Sequence, residues 1–105
     1  MSELTLAFVQ AALKAPVSAQ AEVATRIITD SRQAEAGDVF VALVGEQFDG
    51  HDYVADVLAK GVAAVIVSRE VVAGDARQIV VTDTLAALGQ IAQALRLKWN
   101  PKVVA

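Results

Sequence analysis

Two spacings of apolar residues alternate along this chain. The first is helical: Leu6, Val9 and Leu13 share a face behind Thr5, a residue type that caps helix N-termini, and Pro16 halts the pattern. The second is continuous. Residues 23–28 are rich in β-branched side chains and stop at Thr29-Asp30-Ser31-Arg32, which reads as a strand running into a polar loop. Glu35-Ala36-Gly37-Asp38 is a turn signal. Val39-Phe40-Val41-Ala42-Leu43-Val44 then has no polar residue at alternate positions, so it predicts a strand covered on both faces.

Residues 45–50 read as a loop. Asp52 is expected to cap a helix over residues 53–60, whose Val54, Val57 and Leu58 form one face, and Gly61 stands where a helix ends in a left-handed residue. Residues 63–67 predict a further buried strand, and residues 78–81 another after the loop containing Gly74 and Asp75. Leu85, Leu88, Ile91, Ala92 and Leu95 mark a last helix, capped by Asp83 or Thr82 and closing near Trp99-Asn100-Pro101. Lys102-Val103-Val104-Ala105 resembles the start of another buried strand, so the chain reads as part of a longer protein. Strands alternating with helices imply an α/β fold.

Composition sharpens this picture in three places. The 105 residues fit one domain able to bury roughly 60 to 70 per cent of its unfolded surface. They are 55% hydrophobic but only 5% aromatic, so the core must be built from Ala, Val, Leu and Ile. A net charge of −3 with scattered Lys and Arg argues against a nucleic-acid partner, although a small anion needs only one guanidinium and a few N–H groups. Without cysteine, thiolate catalysis and Cys-based metal sites are excluded, and with one histidine any metal would depend on carboxylates. The apolar run of residues 62–67 is too short to span a bilayer and the N-terminus lacks a signal pattern, so a cytoplasmic protein with no membrane partner is expected.

Two segments could carry chemistry. Thr29-Asp30-Ser31-Arg32 follows a predicted strand, where open α/β sheets bind ligands; its residues could hold a sugar, a base edge and a phosphate, or could merely cap a turn beside a solvated arginine. Gly45-Glu46-Gln47-Phe48-Asp49-Gly50-His51-Asp52 offers two glycines for close approach, Phe48 or the following Tyr53 to cover a planar base, and His51 as a donor. The same loop could equally be turn chemistry with His51 bonded locally. No phosphate loop, nucleophile elbow or zinc helix motif occurs, and paired acids such as Asp49 with Asp52 suit turns and caps better than acid–base catalysis.

Together, Thr29-Asp30-Ser31-Arg32, Ala36-Gly37-Asp38-Val39-Phe40-Val41-Ala42-Leu43, the loop through Tyr53, and Lys60-Gly61-Val62-Ala63-Ala64 resemble the N-terminal domain of the Mur ligases in order and spacing. The loop and Val81-Thr82-Asp83-Thr84-Leu85-Ala86-Ala87-Leu88-Gly89 look most like the branch that adds D-alanyl-D-alanine, with the diaminopimelate- or lysine-adding branch as the alternative. The resemblance implies a three-layer α/β/α domain with a mostly buried, mixed sheet that binds the UDP end of a UDP-MurNAc-peptide. Carried over by position, the contacts fall on Thr29, Ser31, Glu46, Gln47 and Phe48, with Arg32 and His51 as secondary members. It further implies a substrate-binding domain over residues 1–82, and a connecting helix and first strand of an ATP-binding central domain over residues 83–105. Central and C-terminal domains of the same protein would be its partners. ATP and Mg²⁺ would serve the full-length ligase, and no catalytic residue or cofactor is expected within these 105 residues. Ala36 departs from the family where Pro often precedes the turn glycine, at a small cost in preorganisation. A stand-alone nucleotide-binding module and a structural domain without a ligand are the competing readings. The apolar C-terminal residues favour a piece of a larger enzyme over both.

Overall fold

In a computed structural model, describing residues 5–13 and 25–99 and side chains as far as Ala94, four strands form one sheet in the order β1-β2-β3-β4. They are β1 (Ile27–Ile28), β2 (Val39–Val41), β3 (Ala64–Val67) and β4 (Gln78–Val80), with helices α1 (Leu6–Ala12), α2 (Val54–Ala59) and α3 (Thr84–Trp99). The expected strand positions 23 and 24, the stop at Pro16, the helix end at Asn100 and Pro101, and the strand at residues 102–105 lie outside the described residues.

The two central strands explain the unbroken apolar runs. Val39 and Val41 of β2, with Ala64 and Ile66 of β3, face Leu6 and Val9 of α1 and Ala87 and Ile91 of α3. Phe40, Val65 and Val67 point the other way, onto Val54, Val57 and Leu58 of α2. Successive side chains of a strand alternate between faces, so a strand covered on both must be apolar throughout. The result is the three-layer α/β/α arrangement.

All three strand pairs are parallel, with registers Ile27↔Val39, Val39↔Ala64 and Val65↔Gln78 among them, so the described sheet is parallel rather than mixed. Parallel neighbours need crossovers, commonly helical. Here only α2 between β2 and β3 is an α-helix crossover; residues 29–38 and 68–77 make the other two without one. Side-chain hydrogen bonds do that work instead. Arg26 donates to both carboxylate oxygens of the buried Asp38, at 3.1 and 2.7 Å, and to the Gln33 carbonyl at 3.0 Å. In the β3–β4 connection, Gln78 accepts from the Val71 and Val72 amides and donates to the Val72 and Asp75 carbonyls, using all its amide's principal bonding positions. Arg77 pairs with Asp75 at 2.6 Å and reaches the Leu58 carbonyl at the end of α2 at 3.1 Å.

Helix ends follow capping chemistry with one shift. Thr5 accepts the Phe8 N–H, and Asp83 accepts those of Leu85 and Ala86, settling the alternative with Thr82. Asp52 does not cap α2. A 3₁₀ turn, Gly50–Tyr53, extends the element backwards, so Asp49 becomes the cap of that turn through the His51 N–H. Gly61 ends α2 at φ +87 and Gly37 turns at φ +88, both in the left-handed region that a Cβ disfavours. Leu85, expected on the buried face of α3, is 65% exposed because its helix contacts the sheet through Ala87 and Ile91.

Candidate functional site

The C-terminal ends of β1 and β2 open onto a cleft of about 420 Å³ lined by Thr29, Asp30, Ser31, Arg32, Phe48 and Tyr53. Parallel sheets commonly bind ligands there, because the loops leaving adjacent strands converge. The two segments singled out in the sequence therefore meet at one place.

The first wall is a single 3₁₀ turn, Ser31–Gln33, capped by Asp30, whose Oδ1 accepts the Arg32 N–H at 2.9 Å. The Arg32 guanidinium folds back onto the same carboxylate, Nε to Oδ1 at 3.2 Å and Nη2 to Oδ2 at 3.0 Å, while remaining 88% exposed. Arg32 holds the Asp30 carboxyl below its ordinary range, first through this side-chain bond and then through its backbone N–H. Lys60 donates to the Ser31 carbonyl at 3.0 Å, tying the turn to the end of α2. The bland possibility for this segment, a capped turn with a solvated arginine, is thus physically present. Thr29 and Ser31 line the cleft beside it.

The second wall is a tight turn. Gly45 N–H donates to the Phe48 carbonyl at 2.6 Å, and Val44 bridges Asp49 in antiparallel fashion. The turn exposes Glu46 and Gln47 at its tip and lays Phe48 against Tyr53, with ring centroids 5.8 Å apart and planes 19° from parallel. Both rings remain partly exposed. A stacked pair with a free face suits a planar, partly apolar ligand group.

Of the seven nominated residues, Thr29, Ser31, Arg32 and Phe48 line the cleft. Glu46 and Gln47 are exposed in the same turn but are not among its lining residues. His51 is elsewhere: its side chain is 0% exposed, with Nδ1 2.7 Å from Asp49 Oδ1 and Nε2 accepting the Ser68 N–H at 2.9 Å. Asp30 and Tyr53, offered by the two candidate segments but not among the contacts carried over by position, also line the cleft.

Ser68 Oγ also lies 3.2 Å from His51 Nε2, giving a Ser–His–Asp sequence of contacts. It lacks the property such a relay needs. The Nε2 lone pair already receives the Ser68 backbone N–H, and the imidazole has no exposed surface from which to exchange a proton with a substrate. Among the described residues, no group of three or more His, Asp and Glu side chains could hold a metal ion, and no helix is long and apolar enough to cross a membrane. Hydroxyl-bearing residues, two rings and a guanidinium paired with the Asp30 carboxylate thus stand around one open cleft.

Comparison with known proteins gives that surface a context. The family model described as Mur ligase family, catalytic domain, matches residues 24–96, a span containing all five segments that carried the resemblance. The UDP-N-acetylmuramoyl-tripeptide--D-alanyl-D-alanine ligase of Haemophilus influenzae is 41% identical over 80 residues, covering 76% of this chain and 18% of that protein. A crystal structure of MurF from Acinetobacter baumannii superposes with a TM-score of 0.76 at 39% identity, covering 93% of this chain and 22% of that one. The MurF ligase of Thermotoga maritima in complex with ADP gives 0.64 at 32% identity, over 69% of this chain and 17% of that one. This chain spans about a fifth of the length of these relatives.

Proposed function

The chain belongs to the Mur ligase family, and from that premise we propose that it is the substrate-recognition domain of a cytoplasmic ligase adding D-alanyl-D-alanine to UDP-MurNAc-tripeptide. In this reading the cleft takes the UDP end. The observation that carries it is the convergence of Thr29, Ser31, Arg32 and Phe48, drawn from two loops, on one cleft at the strand ends. Thr29 and Ser31 offer hydroxyls to the pyrimidine edge or phosphates. Arg32 offers a guanidinium that a diphosphate would draw away from Asp30, and the Phe48–Tyr53 pair offers a flat surface to the base. Glu46 and Gln47 would meet the ligand from the rim.

The peptide-bond chemistry is proposed for the longer protein, with central and C-terminal domains as partners. A ligase of this class uses ATP with Mg²⁺, and a relative's structure contains ADP. The 105 residues contain no phosphate loop of the form G-x-x-x-x-G-K followed by Ser or Thr, and in this reading the ATP chemistry belongs to the longer protein. Residues 1–82 would supply the substrate cleft and residues 83–105 the link towards the ATP-binding domain, with Ala87 and Ile91 anchoring that link on this core.

Titration of isotope-labelled protein with UDP, and separately with ATP, tests the reading. UDP should shift the amides of residues 29–32 and 45–53 together, and ATP should do so weakly. Affinity should be modest, since a small open contact must offset the entropy of association. If saturating UDP-MurNAc-tripeptide left both loops unmoved, or shifted the residues around Gly74 instead, the cleft would not be the substrate site.

A further inference from the structure

Neither ring of the Phe48–Tyr53 pair is held by burial, since they are 45% and 40% exposed. Their placement must come from the backbone that carries them. Besides the burial of Val54 next to Tyr53, two hydrogen bonds fasten that backbone to the ends of the strands. Gly50 N–H donates to the Leu43 carbonyl, just past β2, at 2.7 Å. The other is made by His51, which lies between the rings in sequence and reaches across to Ser68, the residue following β3.

The imidazole's bonding fixes its protonation pattern. Ser68 N–H is a donor, so Nε2 must be the acceptor; Nδ1 then carries the hydrogen and gives it to Asp49 Oδ1 at 2.7 Å. Asp49 Oδ1 also takes the His51 N–H at 2.9 Å, and Arg69 stands 3.6 Å from its other oxygen. The Asp49 carboxyl is accordingly held below its ordinary range, chiefly by the His51 backbone N–H and then by the His51 side chain. Every polar atom of the ring is committed. Its partner stands at the end of β3, a strand paired on both sides and buried at all four residues.

We propose that His51 is a positioning residue: as the neutral, Nδ1-protonated tautomer it clamps the segment carrying Phe48 and Tyr53 to the end of β3, and so sets the aromatic wall of the cleft without touching the ligand. The effect on affinity rests on reading the cleft as the UDP site. The clamp itself does not.

Two substitutions separate the clamp's halves. His51→Gln can present an acceptor to Ser68 at about the reach of Nε2, whereas His51→Asn can keep only the short donor contact to Asp49. Imidazole ¹⁵N spectra of the 105-residue chain should show the Nδ1–H tautomer. At a temperature where circular dichroism shows all proteins folded, His51→Gln should keep the ring-to-ring Phe48–Tyr53 NOEs and UDP affinity within about threefold, and His51→Asn should lose those NOEs and at least about fivefold in affinity. A residue that merely fills space would not distinguish the two. An Nε2–H tautomer in the unsubstituted protein, or Gln and Asn variants with the same ring NOEs, overturns the proposal. If the Asn variant does not fold, the tautomer and the Gln variant decide: a folded Gln variant without the NOEs refutes the clamp. Failure of the unsubstituted protein to bind UDP would instead refute the functional reading, leaving the tautomer and NOE measurements to judge the clamp.

Discussion

Gly50 has no room for a side chain: a Cβ there would lie 2.9 Å from Ala42 Cα and 3.0 Å from Leu43 N. Both obstacles are backbone, so the 3₁₀ turn would have to lift from the strand end. Gly50→Ala should cost about 1–3 kcal/mol in urea unfolding, in the range of other overpacked sites. Gly37→Ala meets nothing within 4 Å and should lose only the left-handed backbone preference, about 1–2 kcal/mol. Equal stability of Gly50→Ala and the parent protein would mean that the close approach is not maintained in solution. Gly50 reads in the sequence as a ligand-loop glycine, whereas the structure gives it a packing role, because its constraint comes from the backbone of Ala42 and Leu43, just past β2. Phe48 presents the opposite case. Phe48→Ala should change stability by no more than about 1 kcal/mol, since the ring is half exposed, yet weaken UDP binding by about 1–3 kcal/mol by calorimetry if a base stacks there. Unchanged affinity would remove Phe48 from the site.

Among the elements, the helix-free β3–β4 connection is held by a charged pair, Arg77 with Asp75. Asp75 is held down to about 2, mainly by the Arg77 side chain and next by the Arg77 backbone N–H, from an ordinary value of 3.8. A folded-state value below the unfolded one means that Asp75 contributes stability above pH 3.8 and loses it as pH falls towards 2. The stability gap between the parent protein and Asp75→Asn should therefore be widest near neutrality and close across that window in chemical denaturation at stepped pH. A gap constant down to pH 2 would show that the pair adds no pH-linked stability. Arg77 also holds the Leu58 carbonyl, so the same substitution should raise amide exchange at the end of α2. These bonds were invisible in the sequence: Asp75 and Arg77 read there only as loop residues, and nothing local says that the guanidinium spans to residue 58.

At the scale of the whole molecule, the described residues supply an open cleft between two loops. The 105-residue chain should release no phosphate from ATP above the buffer control, measured with Mg²⁺ present. Turnover that co-purifies with the protein and is abolished by Ser31→Ala would contradict this. The two walls give the expectation a physical basis: one is a 3₁₀ turn capped by Asp30 and the other a tight turn closed by the Gly45 N–H and the Phe48 carbonyl, both too short to wrap a triphosphate.

The sequence by itself determined the layers. The apolar runs at residues 39–44 and 63–67 pointed to buried strands, which the fold realises at Val39–Val41 and Ala64–Val67 while Val44 stands 62% exposed beyond the strand, and the helical spacing of Leu6 with Val9 and of Leu88 with Ile91 supplied covers for them. Motif order also pointed to the family and to both loops of the cleft. Tertiary structure alone decided what depends on residues distant in the chain. It made the described strand pairs parallel, moved the cap of α2's approach from Asp52 to Asp49, exposed Leu85, brought Tyr53 and Asp30 to the cleft, and withdrew His51 from it. The physical reason is the same throughout. Periodicity and capping are local and written in neighbouring residues, whereas the partner of a histidine nitrogen or the space beside a glycine is set by whichever strand the fold places next to it.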